Sequence, residues 1–377
     1  MVLEWLALKD FRNIAVGEFR FASGFNRITG DNGQGKSNLL EAVGLLATGR
    51  SFRRVASGVL RRWEQPWFRV QGRVSSNGMS RSLEVLGEAG RQVVRLDGKP
   101  VASVSRMERV LVAVIFTPET PLLVRGGPAE RRAFLDWMIF GADRRHGVES
   151  ADYQTALRAR QKLLKNGVSR DGRELDAWEA QLAILGARIA GRRQRAVSQL
   201  ARVLPPLLER LGLAPERCGL SLAGDLALFL AQGEGIERVA NRLQEGLAQR
   251  RERDRLTGTT GIGPQRDDLL LQLSGHPVAR YGSRGQQQRF AFALKLAEAE
   301  WLEELLGEPP VLVLDDPVAE LDRAGAEGLM ALLSGQGRQV FVAAREPGEI
   351  PWTGGGPMMA CHAVAGTFQV SMEQTKS

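Results

Sequence analysis

Gly30-Asp31-Asn32-Gly33-Gln34-Gly35-Lys36-Ser37 fits the spacing G-x-x-x-x-G-K-[ST]. Glycines at those positions let backbone N–H groups close around phosphate oxygens, and the helix that follows aims its N-terminus at the same oxygens. In that chemistry Lys36 bridges the β and γ phosphates of ATP, Ser37 holds Mg2+ through its hydroxyl, and Asn38 completes the nucleotide-binding candidates. A second segment, Val311-Leu312-Val313-Leu314-Asp315-Asp316, is an apolar run ending in acids. It suits a buried parallel strand whose carboxyl end faces a ligand crevice. Asp315 is then the candidate for the Mg2+ shell, and Asp316 is placed to polarise an attacking water as general base. Lys36, Asp315 and Asp316 form the candidate catalytic set.

These residues need strands and helices to carry them. Leu3 to Leu8, Phe19 to Phe21 and Phe25 to Thr29 read as strands, the last running straight into the glycine loop, and Asn38 to Ala47 has helical apolar spacing. Alternation over Arg69 to Val74, Leu83 to Leu86 and Val93 to Leu96 predicts more strands, with a turn at Asp97-Gly98. From about Ala129 to about Arg255 the period becomes helical: Arg131 to Phe140, Ala151 to Lys165, Leu175 to Leu204 and Ile236 to Arg250. Asn166-Gly167 and Pro205-Pro206 break this stretch, and it lacks the sustained heptads of a coiled coil. Strands return at Leu269 to Leu273, Val311 to Leu314 and Gln339 to Val342, around an amphipathic helix from Gly285 to Leu306; Met372 to Ser377 reads as a frayed tail. The pattern predicts an α/β fold. A mixed-sheet lobe is built from 1–125 and 259–377, with a mainly helical lobe inserted over 126–258.

A chain of 377 residues, 43% hydrophobic and 25% charged, suits two folded lobes. No apolar run approaches the roughly 18 residues needed to cross a bilayer, and Glu4, Lys9 and Asp10 interrupt any leader sequence, so a cytoplasmic protein is expected. Cys218 and Cys361 lie in no metal-ligand spacing with His146, His276 or His362 and read as packing residues. The formal net charge of +8 attracts polyanions. Candidate DNA contacts are Arg50, Arg53 and Arg54 after the loop's helix, and Arg188, Arg192, Arg193 and Arg195 on a helical segment.

Tyr281-Gly282-Ser283-Arg284-Gly285-Gln286-Gln287 resembles the ABC signature L-S-G-G-Q, with Ser283, Gly285 and Gln286 retained, and Glu320-Leu321-Asp322 looks like the D-loop of that class. A closer resemblance is carried by Gly33 to Ala42, Ser51-Phe52-Arg53, Gly127 to Asp136, Gly263 to Leu269 and Leu314 to Asp322, which are similar to blocks of the RecF family in the same order. The chain departs from these patterns at Gln265, where RecF relatives usually have His, and at Asp316, where transporters have Glu. Phe341 to Arg345 contains no switch histidine, and Thr117-Pro118-Glu119 offers no glutamine for a Q-loop.

The resemblance implies an ABC-type ATPase head with ATP and Mg2+. One loop and one signature per chain imply a head-to-tail homodimer, in which Ser283, Arg284, Gly285 and Gln286 meet the nucleotide of the other copy. It further implies a weak DNA-dependent ATPase that binds single-stranded and gapped or junction DNA. Its setting would be recombinational gap repair, replication recovery and the SOS response, helping RecA load with RecO and RecR. The alternatives are a Rad50- or SMC-like tether, and an ATP-gated DNA clamp whose hydrolysis is incidental.

Overall fold

The computed structural model describes the chain except residues 89, 102–109, 167–171, 319–320, 322, 335–336, 351, 353 and 376–377, and the side chains of 166, 323–324 and 373–375. The two acids of the expected D-loop, at 320 and 322, fall outside the described residues.

The chain opens with strands β1 (Val2–Phe11), β2 (Ile14–Arg20) and β3 (Phe25–Thr29), followed by helix α1 (Lys36–Thr48). Strands β4 (Trp67–Ser76), β5 (Met79–Glu88), β6 (Arg91–Leu96), β7 (Lys99–Val101) and β8 (Ala113–Phe116) come next. The expected turn between β6 and β7 has Asp97 and Gly98 both at positive φ, 49° and 78°, as a primed hairpin turn requires. A mainly helical stretch then contains α2 (Leu122–Arg125), α3 (Pro128–Ala142), α4 (Arg145–Asn166), α5 (Arg173–Arg210), β9 (Cys218–Ala223), α6 (Asp225–Ala231), α7 (Ile236–Gln249), α8 (Arg251–Thr257), β10 (Asp268–Leu273), β11 (His276–Pro277) and α9 (Val278–Tyr281). The chain ends with α10 (Arg284–Leu306), β12 (Val311–Asp315), α11 (Arg323–Ser334), β13 (Val340–Ala343), β14 (Gly356–Val364) and β15 (Thr367–Thr375).

Two compact units result: Met1–Pro121 with Pro206–Pro215 and Ser283–Ser377, and Leu122–Pro205 with Glu216–Gly282. The second unit therefore runs past the expected boundary at 258. The cause is β10, which pairs antiparallel with β9 from Asp268 opposite Ala223 to Leu273 opposite Cys218.

The first unit holds an antiparallel sheet in the order β2-β1-β4-β5-β6-β7 and a mixed sheet in the order β15-β14-β3-β13-β12-β8. In the mixed sheet β3 lies between β13 and β14, parallel to both, so the strand feeding the glycine loop is central. All five residues of β12 are buried, as in a central parallel strand with both faces covered. Helix α10 is not the one-sided amphipath expected. Every residue from Phe290 to Ala299 is buried, which makes it a core helix.

The second unit packs its core around Tyr153, Leu182, Ile189, Val239, Leu243 and Leu247. Helix α5, whose last residues from Pro206 onward belong to the first unit, runs unbroken through Pro205-Pro206, contrary to the expected break. The prolines remove two backbone donors, but Leu204, Leu207 and Leu208 on either side are at most 3% exposed, and that burial opposes the break. At 38 residues α5 is far too short for a coiled-coil tether. Among the described residues no helix is long and apolar enough to cross a membrane. Both cysteines are free, and Cys361 is buried in β14.

Candidate active site

The glycine loop closes between β3 and α1. Gly30 and Gly35 have φ of 138° and 116°, conformations that L side chains rarely adopt. A Cβ on Gly30 would also stand 2.5 Å from the Ala363 carbonyl oxygen. Lys36 folds back over its own loop, its Nζ donating to the carbonyls of Gly30 at 2.6 Å and Asp31 at 2.9 Å. This holds the ammonium at the loop's centre, where a phosphate would draw it outward. The turn of the β14–β15 hairpin braces the loop from outside. Ala365 N–H donates to Gln34 Oε1, and Gly366 N–H donates to the Gln34 carbonyl at 2.9 Å.

Ser37 Oγ donates to Asp315 Oδ1 at 2.7 Å, joining residues 278 apart in sequence at the end of β12. Burial pushes the Asp315 carboxyl above its ordinary range, and the Ser37 hydroxyl only partly opposes the shift. Asp316 follows at φ 51°, a left-handed conformation that aspartate tolerates better than most residues. Its carboxyl is also raised, first by burial and then by the charge of Glu349. A hydroxyl and a carboxylate that converge in this way are hard oxygen donors. Mg2+ uses one or two protein oxygens beside substrate phosphates, so the pair fits that ion. Among the described residues no cluster of three or more His, Cys, Asp or Glu forms a closed metal cage.

One pocket is lined by Asn32, Gly33, Gly35, Lys36, Ser37, Asn38, Asp315 and Asp316, together with Arg53 and Arg345. Gly30, Asp31 and Gln34 belong to the same loop but do not line this pocket. Ser283, Arg284, Gly285 and Gln286 lie elsewhere, at the start of α10, and line none of this pocket. Ser283 and Gln286 form a reciprocal capping box there, which fixes the helix N-terminus and leaves Gly285 open, with nothing within 4 Å of where a Cβ would stand.

Arg53, expected as a DNA contact with Arg50 and Arg54, remains exposed and also lines the pocket. The reason is Glu41, a carboxylate of α1 with 0% exposure, whose buried charge demands partners. Arg12 gives it both arms of a fork at 2.8 Å, the Ser51 hydroxyl donates to it, and Arg53 approaches within 3.6 Å. Arg53 also donates to Asn38 Oδ1 at 3.0 Å, which turns it toward the loop. Arg345 was not singled out by the sequence. Its signal was its place just past β13, whose parallel neighbour β12 ends in Asp315.

The second arginine cluster divides. Arg188 and Arg195 are exposed, although Arg188 pairs with Glu149 at 3.2 Å, and Arg192 is held by Glu149 at 2.5 Å. Arg193 cannot contact DNA. It is 5% exposed and grips Asp136 with two bonds of 2.8 Å and Asp267 with one of 2.9 Å. Around it Arg131 forks onto Asp268 at 2.7 and 2.9 Å, Arg132 donates to the Asp267 carbonyl, and His146 meets Asp136 at 3.0 Å. Thus the Gly127 to Asp136 and Gly263 to Leu269 blocks meet in one ion network that braces the second unit. Asp136 is held down at about 2 by His146 and Arg193 against its burial, whereas burial pushes Asp267 up to about 6. Gln265, at the position of the expected histidine, accepts from the Tyr153 hydroxyl at 2.5 Å.

Comparison with known proteins places this geometry. Residues 2–350 match the RecF/RecN/SMC N terminal domain. The DNA replication and repair protein RecF of Magnetococcus marinus is 48% identical over 95% of this chain and 94% of its own length, and that of Geobacter sulfurreducens is 38% identical over 91% and 92%. A RecF–ATP complex described as the recombination mediator of the RecFOR pathway superposes with a TM-score of 0.85 at 28% identity, covering 98% of this chain and 99% of the other. An Smc head bound to a ScpA domain shares the fold, with a TM-score of 0.57 at 14% identity over 100% and 98% of the two chains. With its ordered blocks spread over both units and its full-length match to curated relatives, the chain belongs to the RecF family of DNA replication and repair proteins.

Proposed function

We propose that this chain is an ATP-gated DNA-binding protein that hydrolyses ATP slowly and acts in recombinational repair at single-strand gaps. The observation that carries the reading is the Ser37–Asp315 hydrogen bond of 2.7 Å beside Lys36, which joins the two halves of a phosphate site. Lys36 would leave its loop carbonyls for the β and γ phosphates, and the loop's N–H groups would hold the remaining oxygens. Mg2+ held by Ser37 and Asp315 would neutralise charge developing on the phosphates. Arg53 and Arg345 add two further cations to the same pocket. Asp316, its carboxyl raised by burial and Glu349, would take a proton from the attacking water as the bond between the γ phosphorus and the bridging oxygen breaks, releasing ADP and phosphate.

The absence of the signature residues from the pocket lining supports a homodimer. Ser283, Arg284, Gly285 and Gln286 line none of their own pocket, so they are available to close over the nucleotide of a second copy. ATP binding would favour that dimer and hydrolysis would release it. The likeness to a recombination mediator of the RecFOR pathway supports RecO and RecR as partners; RecA loading, in the cytoplasm, is the outcome this reading assigns to that partnership.

The test compares ATPase rates of the wild type and Lys36→Ala, each with and without gapped DNA. DNA stimulation that vanishes in Lys36→Ala is the expected result. A wild-type rate indifferent to DNA would overturn DNA-coupled hydrolysis. A clamp, in which bound ATP is the working state, is favoured by the short carboxylate arm of Asp316; in it, DNA binding with a non-hydrolysable analogue equals that with ATP.

A further inference from the structure

With Arg53 lining the pocket, Arg193 buried, and Arg188 and Arg192 paired with Glu149, four of the seven expected DNA contacts are engaged, which leaves the question of where a polyanion would lie. The outward face of the antiparallel sheet offers an answer. Its inner face is apolar: Leu6, Leu8, Phe19, Val70 and Val74 are at most 2% exposed. Strand alternation therefore turns Trp5, Lys9, Arg20, Trp67, Arg69 and Arg73 outward. Trp5 lies opposite Arg20 on one side and Arg73 on the other, giving a row Arg20–Trp5–Arg73 across β2, β1 and β4. Lys9 lies opposite Arg69, with its ammonium 5.0 Å from the Trp67 ring.

We propose that this face binds the phosphate backbone of nucleic acid, with Lys9, Arg20 and Arg73 as its contacts. Arg69 and Arg95 are already engaged by Glu84, and Glu18 accepts the Trp5 indole N–H at 2.7 Å. Arg20 and Arg73 are exposed, and their side chains form no hydrogen bond or ion pair with any described residue. Their spacing decides the ligand class. Arg20 and Arg73 stand two strands apart, roughly 10 Å, and Lys9 lies about 13 Å along β1 from Trp5. No single phosphate reaches all three, whereas a polymer with a charge at every residue does. The face offers cations and rings without a groove-reading helix, so binding is expected to be indifferent to sequence.

This inference rests on the reading that the chain binds DNA, and the test separates the two. Binding of labelled single-stranded and duplex DNA to the full chain, with a non-hydrolysable ATP analogue, is followed by anisotropy from about 0.05 to 0.2 M salt. Replacing three phosphate contacts should make the plot of log K against log salt shallower by about 2.7 on duplex, near 0.9 for each, and by about 2.1 on single strands, near 0.7 for each. The triple variant Lys9→Gln/Arg20→Gln/Arg73→Gln should show that change and still bind a fluorescent ATP analogue. Each single variant should show about a third of it, so the result does not hang on the triple variant folding. Lys9→Arg/Arg20→Lys/Arg73→Lys should restore the wild-type slope. Variants with wild-type slopes, beside a wild type that binds DNA, would overturn this surface alone. A wild type that binds no DNA would overturn the DNA reading with it. Loss of binding to anionic lipid vesicles, with DNA binding intact, would reassign the face to a membrane.

Discussion

Asp267→Asn should change how the stability of the second unit depends on pH, in a direction fixed by the ion network. Asp136 and Asp267 share Arg193, but they share it unequally. Asp136 has both arms of the guanidinium and His146 besides; Asp267 has one arm, and its Oδ1 has no partner. Burial therefore raises Asp267 from 3.8 to about 6. Between those values the native protein holds a proton that the unfolded chain has lost, so stability falls as pH rises, by about 1.4 kcal/mol per pH unit. Over the whole window the contribution is ~3 kcal/mol, present below the unfolded value and lost as pH passes the folded one. Asp136 works in the opposite sense, stabilising above its unfolded value and failing only as pH drops toward about 2, outside the window. An asparagine cannot titrate, so the variant's slope should be flatter than the wild type's by that amount between about pH 4 and 6. Urea titrations followed by hydrogen exchange in α3, α5 and β10 peptides would read this unit alone. Superimposable slopes for the two proteins would refute the assignment of the proton to Asp267.

Other substitutions test other parts of the structure. Arg53→Ala should weaken binding of a fluorescent ATP analogue roughly tenfold, the scale of one charged hydrogen bond, while Arg195→Ala leaves it unchanged; equal effects would remove Arg53 from nucleotide binding. Gly30→Ala should abolish measurable ATP binding, because its Cβ would stand 2.5 Å from the Ala363 oxygen; retained affinity would show that the loop can yield. Arg160 is fully buried between Glu179 and Asp254, so Arg160→Met should destabilise the second unit by about 3–5 kcal/mol in urea, unless both acids are neutralised with it.

The phosphate loop was legible because its chemistry is local: spacing, a preceding strand and a following helix lie within a few residues. The role of Arg53 was not, because it depends on Glu41, whose complete burial no local pattern reveals. The arginine run on α5 carried a signal that could have been used. Arg188, Arg192 and Arg195 are spaced i, i+4 and i+7 on one helical face, and Arg193 lies about 100° away from Arg192. Met372 to Ser377 read as a tail, yet Met372 to Thr375 end a hairpin whose turn, Ala365-Gly366 between alternating residues, is a signal in the sequence, and both turn residues have positive φ, 49° and 80°. Pro205-Pro206 misled because propensity is local, whereas the burial that opposes it belongs to the folded chain.

The placement of β3 between β13 and β14 sets a timetable for synthesis. Asn26 in β3 donates to the carbonyl of Val340, 314 residues later, so the strand that leads to Lys36 has no neighbours until that stretch has emerged. At ribosomal rates of about 5–20 residues per second, the loop waits roughly 15 to 60 s for its sheet. Meanwhile the unit over Leu122–Pro205 and Glu216–Gly282 has all of its own strands and helices to pack. A nascent chain therefore carries every residue of its glycine loop long before it can grip a nucleotide, and the capacity to bind ATP arrives with β13 and β14.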